Sequence, residues 1–148
     1  LIIVDRGSPA FARTIPIGSD DVTRIIARTL EIQVELAEQA KSKFGFDATL
    51  GDGVTARLLQ DDETIAQLIR GMHHTIAYWQ THGSDNRPLT HAWLTGGGSL
   101  IPGLISFITK ELHLDVTLGN HCQSIEDHMD PPLPPNFVTA IGLAMRGA

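Results

Sequence analysis

The chain has 148 residues, a formal net charge of −6, 42% hydrophobic residues and one cysteine. This length fits one domain or two small lobes, and the apolar content is that of a globular chain, not a disordered one. The negative charge and the lack of a Lys or Arg block argue against nucleic-acid binding, which needs clustered cations. The lone Cys122 excludes an internal disulfide, and no apolar run is long enough to span a membrane.

The first elements form a predicted β-hairpin. Residues 1–4 and 10–17 have strand patterns, and the turn-forming stretch 5–9 separates them. The chain opens directly on a strand, with no initiator Met and no signal peptide, and we therefore expect it to be a fragment or subdomain.

Two helices are predicted next. Polar residues at 18–21 end the hairpin and offer N-caps. An apolar face at helical spacing then follows, comprising Val22, Ile25, Ile26 and Leu30. The second helix is predicted over 34–44, with Gly45 as its C-cap.

The middle of the chain has the weakest pattern. Residues 46–60 predict no clear element, and the Gly-Asp-Gly at 51–53 indicates a loop or a tight hairpin. The pair at 61–62 caps a long helix that fades at the polar turn 83–86. We treat 46–88 as a candidate small inserted subdomain.

The last part alternates strands and helices. A strand is predicted at 89–95, a helix at 102–112, a short strand at 115–118, an irregular connection at 119–135 and a final helix at 136–146. This alternation predicts an α/β layer arrangement with a mixed sheet and flanking helices. Ligands of open α/β sheets bind at the carboxyl ends of strands.

Three consecutive glycines, Gly96, Gly97 and Gly98, follow the predicted central strand. Such a turn before a helix can bring backbone N–H groups against a phosphate or ribose. It lacks the Lys-Ser/Thr of a P-loop, and its spacing does not match the dinucleotide fingerprint. A plain tight connection is the alternative, but the strand before it and the Pro-Gly helix start after it favour a ligand-binding turn.

Glu38 and Lys41 lie three residues apart on the second predicted helix and share a face. By spacing alone a solvated surface pair is the favoured interpretation. The functional interpretation is a carboxylate and an ammonium that bind a ribose or a base.

The sequence predicts no metal site and no catalytic nucleophile. No His-Glu-x-x-His motif is present, and the polar set in the irregular connection has no fixed ligand spacing. This set comprises His121, Asp127, His128 and Asp130. Cys122 has no Cys-x-x-Cys partner, and a Gly-x-Ser-x-Gly elbow is absent.

Four motifs in order carry a family resemblance: FARTIPIG at 11–18, AEQAK at 37–41, LTGGGSLIPGL at 94–104 and TAIGLAMRG at 139–147. With them the chain resembles the C-terminal half of the PilM family, the actin-like ATPases of type IV pilus assembly. It is more distantly similar to the cell-division protein FtsA and to heat-shock chaperone ATPases.

The resemblance implies an actin-like (ribonuclease H-like) α/β lobe over residues 1–148, with ATP in a cleft between this lobe and another. Gly96, Gly97 and Gly98 would back the α-phosphate and ribose, and Glu38 and Lys41 would approach the adenosine. Mg²⁺ would be held mainly by the other lobe.

One family motif is absent. The phosphate-binding Asp-x-Gly turn should precede the first strand, whereas Asp5-Arg6-Gly7 follows it. Because phosphoryl transfer depends on positioning and charge stabilisation from both sides, we expect this chain to bind ATP and not to hydrolyse it alone.

The resemblance also implies partners and a location. A PilN-like inner-membrane pilus protein is the expected partner, with self-association as a second interaction and no direct membrane insertion. The protein is then cytoplasmic and peripheral to the inner membrane through its partners. Two alternatives stay open: an actin-like docking scaffold that has lost nucleotide use, and an FtsA-like protein. The chain lacks the amphipathic tail of the latter.

Overall fold

The computed structural model describes residues 1–83, 88–119 and 135–145. These residues contain four strands and six α-helices, in the order β1-β2-α1-α2-α3-α4-β3-α5-β4-α6. The strands are β1 Ile2–Asp5, β2 Ser8–Ala12, β3 His91–Leu94 and β4 Asp115–Leu118. The helices are α1 Ser19–Leu30, α2 Val34–Lys43, α3 Val54–Gln60, α4 Glu63–His82, α5 Leu104–Leu112 and α6 Val138–Met145.

The predicted hairpin is present, but its second strand is shifted toward the turn. β1 and β2 pair antiparallel, with an irregular register where Val4 faces Pro9. Beyond β2, Leu1 and Arg13 exchange backbone hydrogen bonds of 2.8 and 2.9 Å. The described ladder therefore ends at Arg13 and not at residue 17, and Pro16 further along has no N–H to donate to a ladder.

β3 and β4 pair in parallel, from His91 opposite Asp115 to Leu94 opposite Leu118. α5 connects them, as in a βαβ unit. The described strands thus form two separate two-stranded sheets, one antiparallel and one parallel, where one mixed sheet was predicted. Side chains of both sheets line a cavity of about 240 Å³.

The core forms around α1. Its apolar residues recur at helical spacing and pack against α2, α3 and the segment that follows the glycine turn. The buried cluster comprises Val22, Ile25, Ile26, Ala37, Phe46, Leu59, Ile65 and Ile101. Because α1, α2 and the end of the glycine turn share this core, their relative positions are fixed by packing.

The weakly patterned region contains an unpredicted helix, α3. With only seven residues it is too short to display a clear helical period, although its Leu59 is fully buried. The expected cap of α4 is confirmed, since the Asp62 side chain accepts a hydrogen bond of 2.8 Å from Thr64 N. The assignment of 46–88 as an inserted subdomain stays a prediction.

The starts of two helices differ from the predicted ones. α5 begins at Leu104 and not at residue 102, because Gly103 has φ +73° and cannot lie within a right-handed helix. α6 begins at Val138, after a short 3₁₀ turn over Pro135–Phe137. Most of the predicted connection, with Cys122 and the His/Asp set, falls at 120–134, outside the described residues.

Candidate functional site

Glu38 and Lys41 form a polar cluster with two residues of α1. Lys41 Nζ donates to Glu38 Oε2 at 2.7 Å, to Thr23 Oγ1 at 2.8 Å and to Ser19 Oγ at 2.8 Å. It also lies 3.3 Å from the Ser19 carbonyl oxygen. Thr23 Oγ1 in turn donates to Glu38 Oε2 at 2.6 Å. The pair is therefore part of a network between α1 and α2 and not an isolated surface pair.

The two partners differ sharply in exposure. The Lys41 side chain is 5% exposed, whereas that of Glu38 is 52% exposed. Hydrogen bonds from Lys41 and then from Thr23 hold the pKa of Glu38 below its ordinary value, against a smaller opposing effect of burial. The cluster therefore presents an ionised carboxylate to solvent and keeps its counter-charge inside.

In the glycine turn, only the first residue has a backbone conformation that requires glycine. Gly96 has φ +88° and ψ 173°, a region that is essentially confined to glycine. A 3₁₀ turn, Gly97–Leu100, follows directly. The buried Ser99 closes it, because its Oγ donates to the Gly96 carbonyl oxygen at 2.6 Å and its backbone N at 3.1 Å.

The fold brings this turn to the polar cluster. A Cβ at Gly98 would lie 3.9 Å from Ser19 Cβ, on the same residue that accepts from Lys41. Behind the turn, Phe46 N donates to the Pro102 carbonyl oxygen at 2.7 Å, which joins the turn to the end of α2. The glycine turn is thus linked to the Glu38–Lys41 pair in two ways: through Ser19 of α1, and through the hydrogen bond to Phe46 just after α2.

Nothing in the described structure requires glycine at positions 97 and 98. Neither residue has positive φ. A Cβ at Gly97 would meet only Asn136 Cβ, at 3.9 Å, and one at Gly98 only Ser19 Cβ, at the same distance, both ordinary van der Waals contacts. The fold of the described residues gives no reason for glycine here, and glycine loses more backbone entropy than alanine.

Sequence reasoning missed Ser19 and Thr23. It assigned residues 18–21 to helix capping, and Asp21 does accept a 2.8 Å hydrogen bond from Gly18 N. Ser19, however, is a partner of Lys41. The available signal was the spacing of Ser19 and Thr23, four residues apart, which places two hydroxyls on one face of a helix.

Other polar clusters lie away from this site. On the parallel pair, His91 contacts Asp115 at 2.9 Å and Thr117 at 2.8 Å. In the part of the chain that the structure describes, no group of three or more His, Cys, Asp or Glu side chains is placed to hold a metal ion. None of the described helices is long and apolar enough to cross a membrane.

Comparison with known proteins shows which family the chain resembles. The profile of the type IV pilus assembly protein PilM matches residues 1–148. A solved structure titled "PilM-PilN type IV pilus biogenesis complex" is similar to this chain, with a TM-score of 0.73 and 21% identity. The similarity covers 99% of this chain and 41% of that chain. No curated protein matches the sequence.

The structural similarity confirms the predicted fold class, an α/β lobe of the actin-like type. The profile match is more specific and covers the whole chain. The chain belongs to the PilM family of type IV pilus assembly proteins, which confirms the resemblance drawn from the four motifs. The chain spans less than half the length of its structural relative.

Proposed function

We propose that this chain forms one wall of an ATP-binding cleft in a PilM-family protein. Gly97 and Gly98 carry the proposal. Neither the backbone conformation nor the packing of the described residues requires glycine at these two positions. Glycine in such a position lets a ligand approach the backbone closely. The exposed, ionised carboxylate of Glu38 lies on the neighbouring helix.

Two features of the site suit a nucleoside triphosphate, namely the glycine turn and the Glu38 carboxylate. The small glycine surface suits the α-phosphate and the sugar, because no side chain stands between them and backbone N–H groups. A carboxylate is an acceptor and suits the ribose hydroxyls, which are donors. We assign no residue of this chain to Mg²⁺ and no catalytic role, so this lobe contributes binding and the other contributes the chemistry.

In the cell, we place the protein on the cytoplasmic side of the inner membrane, held there by a PilN-like protein. The structural relative is a PilM–PilN complex. ATP that bridges the two lobes would favour the closed cleft and change the docking surface for this partner. Calorimetric titration of the intact protein with the cytoplasmic peptide of its PilN-like protein, with and without ATP, tests this coupling.

The ATP site itself is tested by calorimetry with MgATP on the intact protein, including whatever sequence flanks this chain. Gly97→Asp puts bulk and negative charge where the nucleotide should lie, and we expect binding to fall by at least about a hundredfold. Gly7→Asp, in the β1–β2 turn, adds the same charge where a Cβ meets no described atom within 4 Å. It should leave the affinity unchanged.

Two results would contradict the proposal. An unchanged affinity in the Gly97→Asp protein would place ATP elsewhere. No ATP binding by the wild-type protein would favour the alternative of a nucleotide-free docking scaffold. The FtsA-like alternative gains no support, because the family profile and the structural relative both name PilM.

A further inference from the structure

The Lys41 ammonium has no donor left for a ligand. An ammonium has three N–H bonds, and Lys41 Nζ has three partners at 2.7 to 2.8 Å, namely Glu38, Thr23 and Ser19. Its side chain is 5% exposed. A nucleotide could reach this ammonium only by displacing one of these bonds.

The Glu38 carboxylate is organised in the opposite way. Its Oε2 accepts both the Lys41 and the Thr23 hydrogen bonds. Among the described residues, its Oε1 accepts none. Because the side chain is 52% exposed, this second oxygen is open to a donor from outside the chain.

We propose that Lys41 and Thr23 are positioning residues of the nucleotide site, and that Glu38 is the member of this cluster that touches the ligand. Two hydrogen bonds to one carboxylate oxygen fix the carboxylate plane and therefore the direction of Oε1. The inference rests on the proposed ATP site and alters the roles within it, since the family resemblance places Lys41 itself against the adenosine.

The two arrangements differ in how mutations combine. If Lys41 acts through Glu38, its removal matters only while Glu38 is present, and the two substitutions are strongly non-additive. If Lys41 binds ATP by itself, the two effects multiply. Calorimetric titration of the intact protein with MgATP, unmodified on the ribose, measures the affinities of wild type, Glu38→Gln, Lys41→Met and the double variant.

We expect each single substitution to weaken ATP binding about tenfold or more, as for loss of a hydrogen bond to a charged group. In the Glu38→Gln background, Lys41→Met should then change the affinity less than about threefold. A further tenfold loss in that background would show direct contact and overturn the inference. If the wild-type protein binds no ATP, the proposed function fails instead, which is a distinct result.

Thr23 supplies a matched pair in case Lys41→Met does not fold. Thr23→Val removes the hydroxyl and keeps the shape, whereas Thr23→Ser keeps the hydroxyl. We expect Thr23→Val to weaken ATP binding about threefold to tenfold, and Thr23→Ser to bind like wild type. Equal affinities for the two variants would overturn the role of Thr23.

A readout without ligand separates positioning from mere stability. The ¹³C shift of the Glu38 carboxyl carbon, followed by NMR against pH without ATP, reports its pKa. The described contacts of this carboxylate are Lys41 on its own helix and Thr23 on α1. Lys41→Met should raise the midpoint, and Thr23→Val should raise it less. An unmoved midpoint in both variants would contradict the proposed positioning.

Discussion

Lys41 donates a 2.7 Å hydrogen bond to Glu38 one helical turn away, yet only Glu38 is open to solvent. The arrangement follows from the orientation of α2, which directs Lys41 toward the first turn of α1. There the ammonium finds three oxygen atoms, from Ser19 and Thr23. A pair that spacing alone assigns to the surface is thereby divided into an internal cation and an external anion.

The first prediction concerns acid stability. Because the folded pKa of Glu38 is lowered, its carboxylate contributes stability that is complete above the unfolded pKa of about 4.3 and is lost as the pH falls through the folded pKa. We expect Glu38→Gln to be less stable than wild type near neutral pH, and the difference to shrink below about pH 4. Urea unfolding from about pH 3 to pH 7 measures it.

Glu35→Gln is the matched control, because Glu35 is an exposed residue of the same helix. It removes the same charge without touching the Lys41 and Thr23 hydrogen bonds, so it measures the effect of the charge change alone. Asp47, whose pKa the Thr49 side chain and backbone also lower by hydrogen bonding, is retained in every variant and cancels from the comparison. A stability difference between Glu38→Gln and wild type that stays constant with pH would contradict the prediction.

The second prediction concerns Ser99, which closes the glycine turn. Its buried Oγ donates to the Gly96 carbonyl oxygen at 2.6 Å. We expect Ser99→Ala to reduce the free energy of unfolding by about 1 kcal/mol and Ser99→Thr to keep the hydrogen bond. Hydrogen exchange of the backbone amides at 97–101 should accelerate in Ser99→Ala, and unchanged protection would refute the closing role.

Local patterns predicted much of this molecule. The three glycines, and two polar residues three apart on a helix, are visible in sequence because neighbours on a helix or in a turn are close in space. The link between Lys41 and Ser19 joins residues 22 positions apart and depends on how two helices pack. No periodicity contains that information, so the burial of Lys41 could not be predicted.

Short elements were also difficult to predict from the sequence. α3 has only two turns, and its neighbouring glycines predict a loop more strongly than its few apolar residues predict a helix. The burial of Leu59 against α1 supplies the stability that its local sequence does not. The predicted start of α5 failed for a related reason, since the Pro-Gly pair resembles a helix start until the backbone angle of Gly103 is known.

The third prediction concerns Gly103, which packs against the segment after α2. A Cβ there would lie 2.5 Å from Asp47 N and 2.6 Å from the Phe46 carbonyl carbon, and φ is +73°. We expect Gly103→Ala to lower the free energy of unfolding by about 3 kcal/mol, from backbone strain and overpacking together. Gly7→Ala, with φ +80° and open space, isolates the strain and should cost about 1 kcal/mol. Equal losses would mean that the packing contact contributes nothing.

The fourth prediction separates the roles of neighbouring glycines. Gly96→Ala should lower the free energy of unfolding by about 1 to 3 kcal/mol, because its φ of +88° with ψ of 173° excludes other residues. Gly97→Ala has no such conflict and should be neutral or stabilising by up to about 1 kcal/mol. If the nucleotide approaches this backbone, however, the added methyl should weaken MgATP binding about tenfold.

Urea unfolding measures the stability of Gly96→Ala and Gly97→Ala, and calorimetry measures their affinity for MgATP. The informative result is Gly97→Ala with unimpaired stability and reduced affinity, because it shows a glycine retained for a ligand and not for the fold. The ordinary contact of 3.9 Å between the new methyl group and Asn136 Cβ gives no structural reason for a loss. Wild-type affinity in Gly97→Ala, with reduced stability, would instead make this turn a structural connection and remove the main support for the ATP site.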